Sequence, residues 1–412
     1  AASTRNPSMS APGDLARAVD EAADAIHTGA VDNGSGDRTW LTLSLLPDGD
    51  RVQLSFTGDG LYDGRIGIAA FQAMAAGSTR FAATDYTDTL GPVARKALST
   101  SPHVRHRYVR DLGVGWTGLG GLLRLWDTPA FRDIADTASA ELTLGLIKRD
   151  AFFDLLGGVA GLIGPLSRRL RNGNPTDQTA TVLRLAARHL ADAQLTGGGW
   201  PFREATRPLT GLSHGASGMG IALIEAGLAL RDEEFISRGV RAFAYERACF
   251  DDARGNWPDF RTHACGPDGQ PSSMIAWCHG APGIGLARLS ALTLLPDHPD
   301  ARVWREELEV AMATTSAAPL GYLDHLCCGS LGRAAVLRIA GLKTGKAEWL
   351  HAADELTLEV LARATSDGGY HFPFDDPDVT SGTSADPIAQ SPGFMNGLAG
   401  VGAHFIATAR NE

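Results

Sequence analysis

A repeat constrains the fold of this 412-residue chain more than any other feature. Its element is Gly-x-x-Gly opening an apolar helical segment rich in Ala and Leu, and successive copies begin roughly 40 to 70 residues apart. Each interval has room for two helices and their loops. The seven copies begin at Gly64, Gly115, Gly158, Gly215, Gly280, Gly329 and Gly397.

Longer amphipathic segments precede most of the copies. In the segment 347–365, Trp349, Ala353, Leu356 and Val360 fall on one face at helical spacing. Each repeat therefore predicts an outer amphipathic helix, a loop and a glycine-started inner helix. The inner helices are apolar nearly all round and must be buried, which a closed ring achieves for every repeat alike. We predict an all-α fold, an α/α toroid of seven helical hairpins with inner and outer helix rings.

Residues 40–56 depart from the helical pattern. Apolar residues alternate in period two on both sides of Pro47-Asp48-Gly49, which predicts a small β-hairpin near the N-terminus. The chain begins Ala-Ala-Ser without Met, which suggests an excised or processed piece. We assign 1–37 to a linker-like or processing-derived segment with a leading helix, and 38–412 to the toroid.

Composition excludes several classes of partner. The net charge is −10 and the basic residues are scattered, so neither nucleic acid nor an anionic membrane is a predicted partner. Every long apolar run is interrupted before the roughly 18 residues of a membrane span. Five cysteines are too few, and odd in number, for a disulfide framework, so a reducing cytoplasm is the expected compartment.

Three cysteines share the register of the repeat. Cys278 and Cys327 each lie two residues before the first glycine of neighbouring copies, and Cys328 follows directly. In a closed ring these loop-to-helix junctions face one end, so the three thiols are expected to converge. Three thiolates with an open fourth position are typical of a catalytic zinc site. The alternative is three buried core cysteines, the role we assign to Cys249 and Cys265.

Histidines occupy the same register. His214 and His279 each directly precede the first glycine of a copy, and Asp154 lies four residues before another. We predict His214 as an acid/base group, and His279 as an acid/base group or a hydrogen-bond donor supporting the site. Asp154 is either catalytic or only a cap of the third inner helix. The stretch from Trp257 to Arg261 is either a substrate-facing lid or a rigid turn.

These residues resemble a known family. The repeat, together with Ser-His-Gly, Trp-Cys-His-Gly and Cys-Cys-Gly, is similar to the lanthionine cyclase (LanC-like) family. The resemblance runs from about residue 40 to the end of the chain. More narrowly, the chain resembles the C-terminal cyclase domain of class II lanthipeptide synthetases (LanM) in Leu61-Tyr62-Asp63-Gly64, Asn256-Trp257-Pro258-Asp259 and Trp277-Cys278-His279-Gly280-Ala281-Pro282-Gly283.

The resemblance implies an α/α toroid with one zinc ion at its mouth. By resemblance, Cys278 and the adjacent pair Cys327 and Cys328 are the ligands, although familiar members have Cys-His-Gly where this chain has Cys-Cys-Gly. The family's catalytic Asp and His are similar in context to Asp154 and His214. Stand-alone cyclases carry an Arg four residues before the first cysteine ligand. This chain has Met274 there, which leaves Arg261 as a candidate substitute.

The implied activity is lanthionine synthetase cyclisation in lanthipeptide biosynthesis. A zinc-dependent enzyme would add peptide Cys thiols to dehydroalanine or dehydrobutyrine and form (methyl)lanthionine thioether rings. The expected partners are a dehydrated precursor peptide and, if the chain is a piece of a bifunctional enzyme, an upstream dehydratase domain. A non-catalytic, zinc-stabilised peptide-binding ring stays open, as does another toroid enzyme such as a zinc prenyltransferase, although prenyltransferase sites mix Asp, Cys and His ligands.

Overall fold

The computed structural model describes residues 11–32, 37–45, 52–76, 85–173, 178–203, 205, 207–266, 268–372 and 390–411. The predicted hairpin turn at 47–49 and the first ten residues lie outside these ranges. In chain order the elements are α1 (Ala11–Thr28), β1 (Val31–Asp32), β2 (Arg38–Thr39), β3 (Leu41–Leu45), β4 (Val52–Phe56), α2 (Arg65–Ala75), α3 (Asp85–Ala97), α4 (Pro102–Leu112), α5 (Leu119–Arg124), α6 (Pro129–Ala140), α7 (Leu144–Lys148), α8 (Ala160–Arg171), α9 (Thr179–Asp192), α10 (Ala216–Leu230), α11 (Glu233–Arg247), α12 (Ala281–Leu294), α13 (Ala301–Ala317), α14 (Ser330–Thr344), α15 (Ala347–Asp367) and α16 (Leu398–Arg410).

Each Gly-x-x-Gly copy opens an inner helix, as predicted: α2, α5, α8, α10, α12, α14 and α16. The second glycine is required by space. A Cβ atom at Gly218 would lie 1.9 Å from the carbonyl oxygen of Leu212, and one at Gly283 would lie 2.1 Å from that of Trp277. Each inner helix therefore begins under a tight turn that only glycine admits. In the described part of the chain, no helix is long and apolar enough to cross a membrane.

The ring is built from helical hairpins, which confirms the predicted all-α toroid. Adjacent inner helices pack in the order α5, α8, α10, α12, α14, α16 and α2. The sequence pattern paired each inner helix with the outer helix before it. In the structure α10, α12 and α14 instead pack most extensively on the outer helices that follow them, α11, α13 and α15. The last inner helix among the described residues, α16, packs on α1, so the two ends of the described chain meet.

The predicted β-hairpin is also present. Strands β3 and β4 pair antiparallel with Leu41 opposite Phe56 and Leu43 opposite Leu54, so these apolar residues share one face of the ribbon. The neighbouring Trp40 is buried, and its indole N–H donates to the carbonyl of Ile26 in α1 at 2.7 Å. The ribbon is therefore attached to the outer helix ring.

Candidate metal centre and active site

A chain of backbone hydrogen bonds links the loops that precede the seven inner helices. Six of the seven loops donate an N–H to a carbonyl of the neighbouring loop, so the junctions are held at one end of the toroid. The links are Met395 N to Tyr62 O (2.7 Å), Cys327 N to Met395 O (2.8 Å), Cys278 N to Cys327 O (3.3 Å), Leu212 N to Cys278 O (3.1 Å), Leu155 N to Ser213 O (3.0 Å) and Trp116 N to Leu155 O (2.9 Å). These hydrogen bonds between loops are the physical reason that residues at equivalent positions of the repeat lie close together.

Three sulfur atoms meet at this end. The Cys278 Sγ lies 3.2 Å from the Cys328 Sγ, which lies 3.5 Å from the Cys327 Sγ, and all three lie within 4.8 Å of one another. Tetrahedral zinc with Zn–S bonds of about 2.3 Å places its sulfurs about 3.8 Å apart. The thiols are free, and Cys278 and Cys327 are buried. The donor set and its spacing therefore fit a zinc ion with small adjustments.

The charge of the cluster also favours a cation. Hydrogen bonds from Cys278 and Cys327 lower the pKa of the Cys328 thiol to about 3. The pKa of Cys278 is raised instead, by its hydrogen bonds with Cys327 and Cys328 and by burial. The cluster thus holds one negative charge readily and resists a second. Three thiolates at this spacing need a positive ion between them.

A buried Asp154 and a half-buried His214 form a pair within the junction loops. The His214 Nδ1 and the Asp154 Oδ2 are 2.7 Å apart, while Asp154 Oδ1 accepts the backbone N–H groups of Gly157 (2.7 Å) and Gly158 (3.2 Å). One oxygen of Asp154 therefore caps the turn before α8, while the other holds the His214 imidazole. His214 keeps about a quarter of its side chain exposed (27%), which leaves Nε2 as the nitrogen available to a substrate.

His279 lies next to His214 but differs in environment. The ring centroids are 5.8 Å apart, and His279 is buried with no hydrogen-bond partner on either ring nitrogen among the described residues. Burial, reinforced by Arg261, lowers the pKa of His279 to about 4. The neutral imidazole is therefore its main form near pH 7.

The stretch from Trp257 to Arg261 is a turn with buried anchors, which favours the rigid-turn interpretation. Trp257 and Asp259 are buried, and the Thr210 hydroxyl donates to the carbonyl of Pro258 at 2.7 Å. The preceding Asn256 accepts the N–H of Ala281 at 2.8 Å and donates to the carbonyl of Met274 at 3.0 Å. These bonds fix the loop that leads into Cys278.

Arg261 reaches the position that Met274 occupies. Both oxygens of Asp259 hold its guanidinium, with Nε to Oδ1 at 3.0 Å and Nη2 to Oδ2 at 2.5 Å. Its Nη2 also lies 3.2 Å from the Met274 sulfur, and its charge interacts with Cys278 and Cys328. A fixed positive charge thus stands at the edge of the cysteine cluster.

A model of the lanthionine synthetase C-like protein family matches residues 55–412. The chain belongs to this family. Among solved structures, nisin cyclase has the same fold, with a TM-score of 0.60 and 15% identity over 84% of this chain and 88% of that one. A sugar epimerase from a ruminal bacterium matches at a TM-score of 0.47 and 10% identity, over 78% of this chain and 98% of that one. No curated protein matches the chain by sequence.

Tyr62 is a site residue of this LanC-like chain that the sequence analysis did not assign. It lies two residues before Gly64, the register position of Cys278 and Cys327 in their copies. Its hydroxyl makes a side-chain hydrogen bond with Cys327, and burial raises the pKa of the phenol, with Cys327 as the next cause. The register of the repeat was the signal that could have identified it.

Glu246 anchors the loop that carries His214 in the LanC-like ring. Its Oε1 accepts the backbone N–H groups of Gly211 and Ser217, both at 2.9 Å, and its Oε2 accepts the Ser217 hydroxyl and Arg288 Nη1. Arg288 is completely buried and also donates from Nε to Glu307 at 2.5 Å. Nothing in the sequence pattern of α11 marks this glutamate as a loop anchor.

Proposed function

We propose that this chain is a zinc-dependent lanthipeptide cyclase. It would add the thiol of a peptide Cys to dehydroalanine or dehydrobutyrine and form the (methyl)lanthionine thioether. The observation that carries the proposal is the convergence of three cysteine sulfurs with the Asp154–His214 pair at one end of a LanC-like toroid. The substrate would be a dehydrated precursor peptide, and the Cys-Cys-Gly set favours the LanM type.

Cys278, Cys327 and Cys328 would hold the zinc ion. When bound there, zinc would supply the positive charge that keeps a substrate thiol deprotonated near neutral pH, where a free thiol with pKa about 8.5 is mostly protonated. A reducing compartment such as the cytoplasm suits the site, because the Cys278 and Cys328 sulfurs, 3.2 Å apart, must stay unoxidised.

The reaction releases one proton from sulfur to solvent and takes one up at carbon. As the S–C bond forms at Cβ, the C=C π pair moves toward the carbonyl and leaves an enolate, and protonation at Cα completes an addition that conserves mass. His214 is the donor at Cα, because Asp154 holds its Nδ1 and stabilises the imidazolium while Nε2 faces the substrate. Asp154 also keeps the ring in one orientation through the capped turn at Gly157.

Arg261 would stabilise the enolate oxygen. Its guanidinium is fixed by Asp259 before substrate arrives, so it needs no reorganisation as charge develops. His279, neutral and packed on His214, would limit the tilt of the donor ring and disfavour a second positive charge beside it. Of the two roles predicted for His279, we therefore propose support of His214.

The test incubates the zinc-loaded chain with a dehydrated precursor peptide that has not yet formed rings. Free thiols are then counted by alkylation. Enzyme-dependent loss of thiols at constant mass is expected. His214→Ala should keep zinc and lose thiol consumption, whereas His351→Ala, on the exposed face of outer helix α15, should retain both. If the unmutated chain binds zinc and the peptide but consumes no thiols, it is a non-catalytic ring instead.

A further inference from the structure

An exposed aromatic side chain lies in the loop that carries Asp154. Phe152 is 64% exposed, although it lies only two residues before Asp154 in the loop between α7 and α8. Holding a large apolar ring in water is unfavourable, and one beside a reaction site is a candidate contact for a ligand.

The loop is built to hold Phe152 outward. The carboxylate of Asp150 accepts the backbone N–H groups of Phe152 (3.1 Å), Phe153 (3.2 Å) and Val159 (2.9 Å), while its carbonyl pairs with His189 Nε2 at 2.8 Å. Four hydrogen bonds therefore fix the segment from both sides. The outward ring is a fixed feature of the loop rather than a consequence of loose packing.

The backbone at Phe153 supplies a second indication. Its φ of 64° lies in the left-handed region that bulky side chains rarely adopt. This turn sends Phe153 inward against His189, with ring centroids 5.3 Å apart, and leaves Phe152 outside. Strained conformations of this kind are retained where the surrounding structure fixes them, often at ligand sites.

Phe152 also lies over Gly157, which directly precedes the first glycine of its repeat copy. A Cβ at Gly157 would lie 3.4 Å from the Phe152 Cγ, and Gly157 corresponds in the repeat to His214, His279 and Cys328. The Gly157 N–H donates to Asp154 at 2.7 Å. The ring thus rests on the turn that orients the proton donor.

From these contacts we infer that Phe152 binds the planar dehydroamino acid of the substrate peptide. The inference rests on the proposed function, in which His214 must face Cα of that residue. A dehydroalanine or dehydrobutyrine unit is uncharged and planar through its C=C bond and both flanking amides. It can therefore stack on an aromatic ring over this whole plane, which the tetrahedral Cα of the Ser or Thr from which it derives interrupts.

The test compares Phe152→Ala with Phe56→Ala. Phe56 is 63% exposed on the β3–β4 ribbon and serves as a matched control for the loss of a surface ring. Phe152→Ala should raise KM for the dehydrated peptide about five- to tenfold with kcat within about twofold, while Phe56→Ala and the conservative Phe152→Tyr leave KM unchanged. Equal KM values for Phe152→Ala and Phe56→Ala would overturn the inference.

A binding experiment separates this inference from the proposed function. It uses the zinc-loaded chain and peptides whose Cys are replaced by Ser, so that no ring can close, and compares a dehydrated peptide with its undehydrated form. The unmutated chain should prefer the dehydrated peptide, and Phe152→Ala should lose that preference. A preference that persists in Phe152→Ala refutes the contact even if cyclisation occurs, whereas failure of the unmutated chain to consume thiols refutes the cyclase proposal alone.

Discussion

The buried Glu246–Arg288 pair allows a quantitative test of what holds the His214 loop. Both side chains are fully buried, and Arg288 has a second carboxylate partner, Glu307. In Glu246→Gln the amide oxygen can still accept the Gly211 and Ser217 N–H groups, but the charge facing Arg288 is lost. Removing one member of a buried ion pair costs about 3–5 kcal/mol, and the remaining Glu307 contact puts our expectation near 3 kcal/mol.

The matched variant removes both charges of the pair. Arg288→Met combined with Glu246→Gln leaves no unpaired ion, because Glu307 keeps Arg247, whose Nε lies 2.6 Å from it. The double variant should therefore recover most of the loss of the single one. Equilibrium denaturant unfolding measures each free energy of unfolding. A Glu246→Gln loss below about 1 kcal/mol, or a double variant as unstable as the sum of the two single ones, would refute this account.

The remaining predictions concern pH, metal and charge placement. Burial, with help from Arg338, lowers the pKa of His404 to about 3, so the folded state keeps this ring neutral while the unfolded chain protonates it near pH 6.5. Stability should fall below about pH 6.5, and by pH 5 the unmutated chain should lose about 2 kcal/mol more than His404→Gln in denaturant unfolding. Cys328→Ser should lose zinc to a chelator concentration at which the unmutated chain keeps it, whereas the control Cys249→Ser should keep its zinc. Metal analysis measures the zinc content, and equal zinc retention by the two variants would count against the cysteine cluster as the site. Arg261→Gln should abolish most thiol consumption, and adding Met274→Arg should restore part of it; no recovery would argue that the charge is needed in the Arg261 geometry itself.

The repeat and its register predicted much of the site. Gly-x-x-Gly is a local signal, because the second glycine is demanded by a carbonyl six residues earlier, as at Gly218 and Gly283. Once the copies were aligned, equal positions had to meet around a ring, which brought the three cysteines and both histidines to one end. The catalytic and zinc-binding roles assigned to them stay predictions.

Other features have no local signal. Phe152 and Phe153 are adjacent and identical in type, and the backbone angle at Phe153 accompanies the packing of its ring, rather than that of Phe152, against His189. Arg261 could be a lid residue or an anchored charge until Asp259 and Met274 were seen to hold it. The choice of outer helix by each inner helix, and the pairing of α16 with α1, depend on packing between segments far apart in the chain.

The sequence by itself determined the helical class, the ring and the register of its reactive residues, because each depends on spacing along the chain. Tertiary structure decided the rest. The Asp154–His214 hydrogen bond and the Tyr62 contact to Cys327 join different repeats, and the Glu246 anchor joins the end of α11 to Gly211, 35 residues earlier. No one-dimensional pattern specifies which side chain fills the space between two helices. Burial and charge, which set the properties of these groups, exist only once the ring has closed.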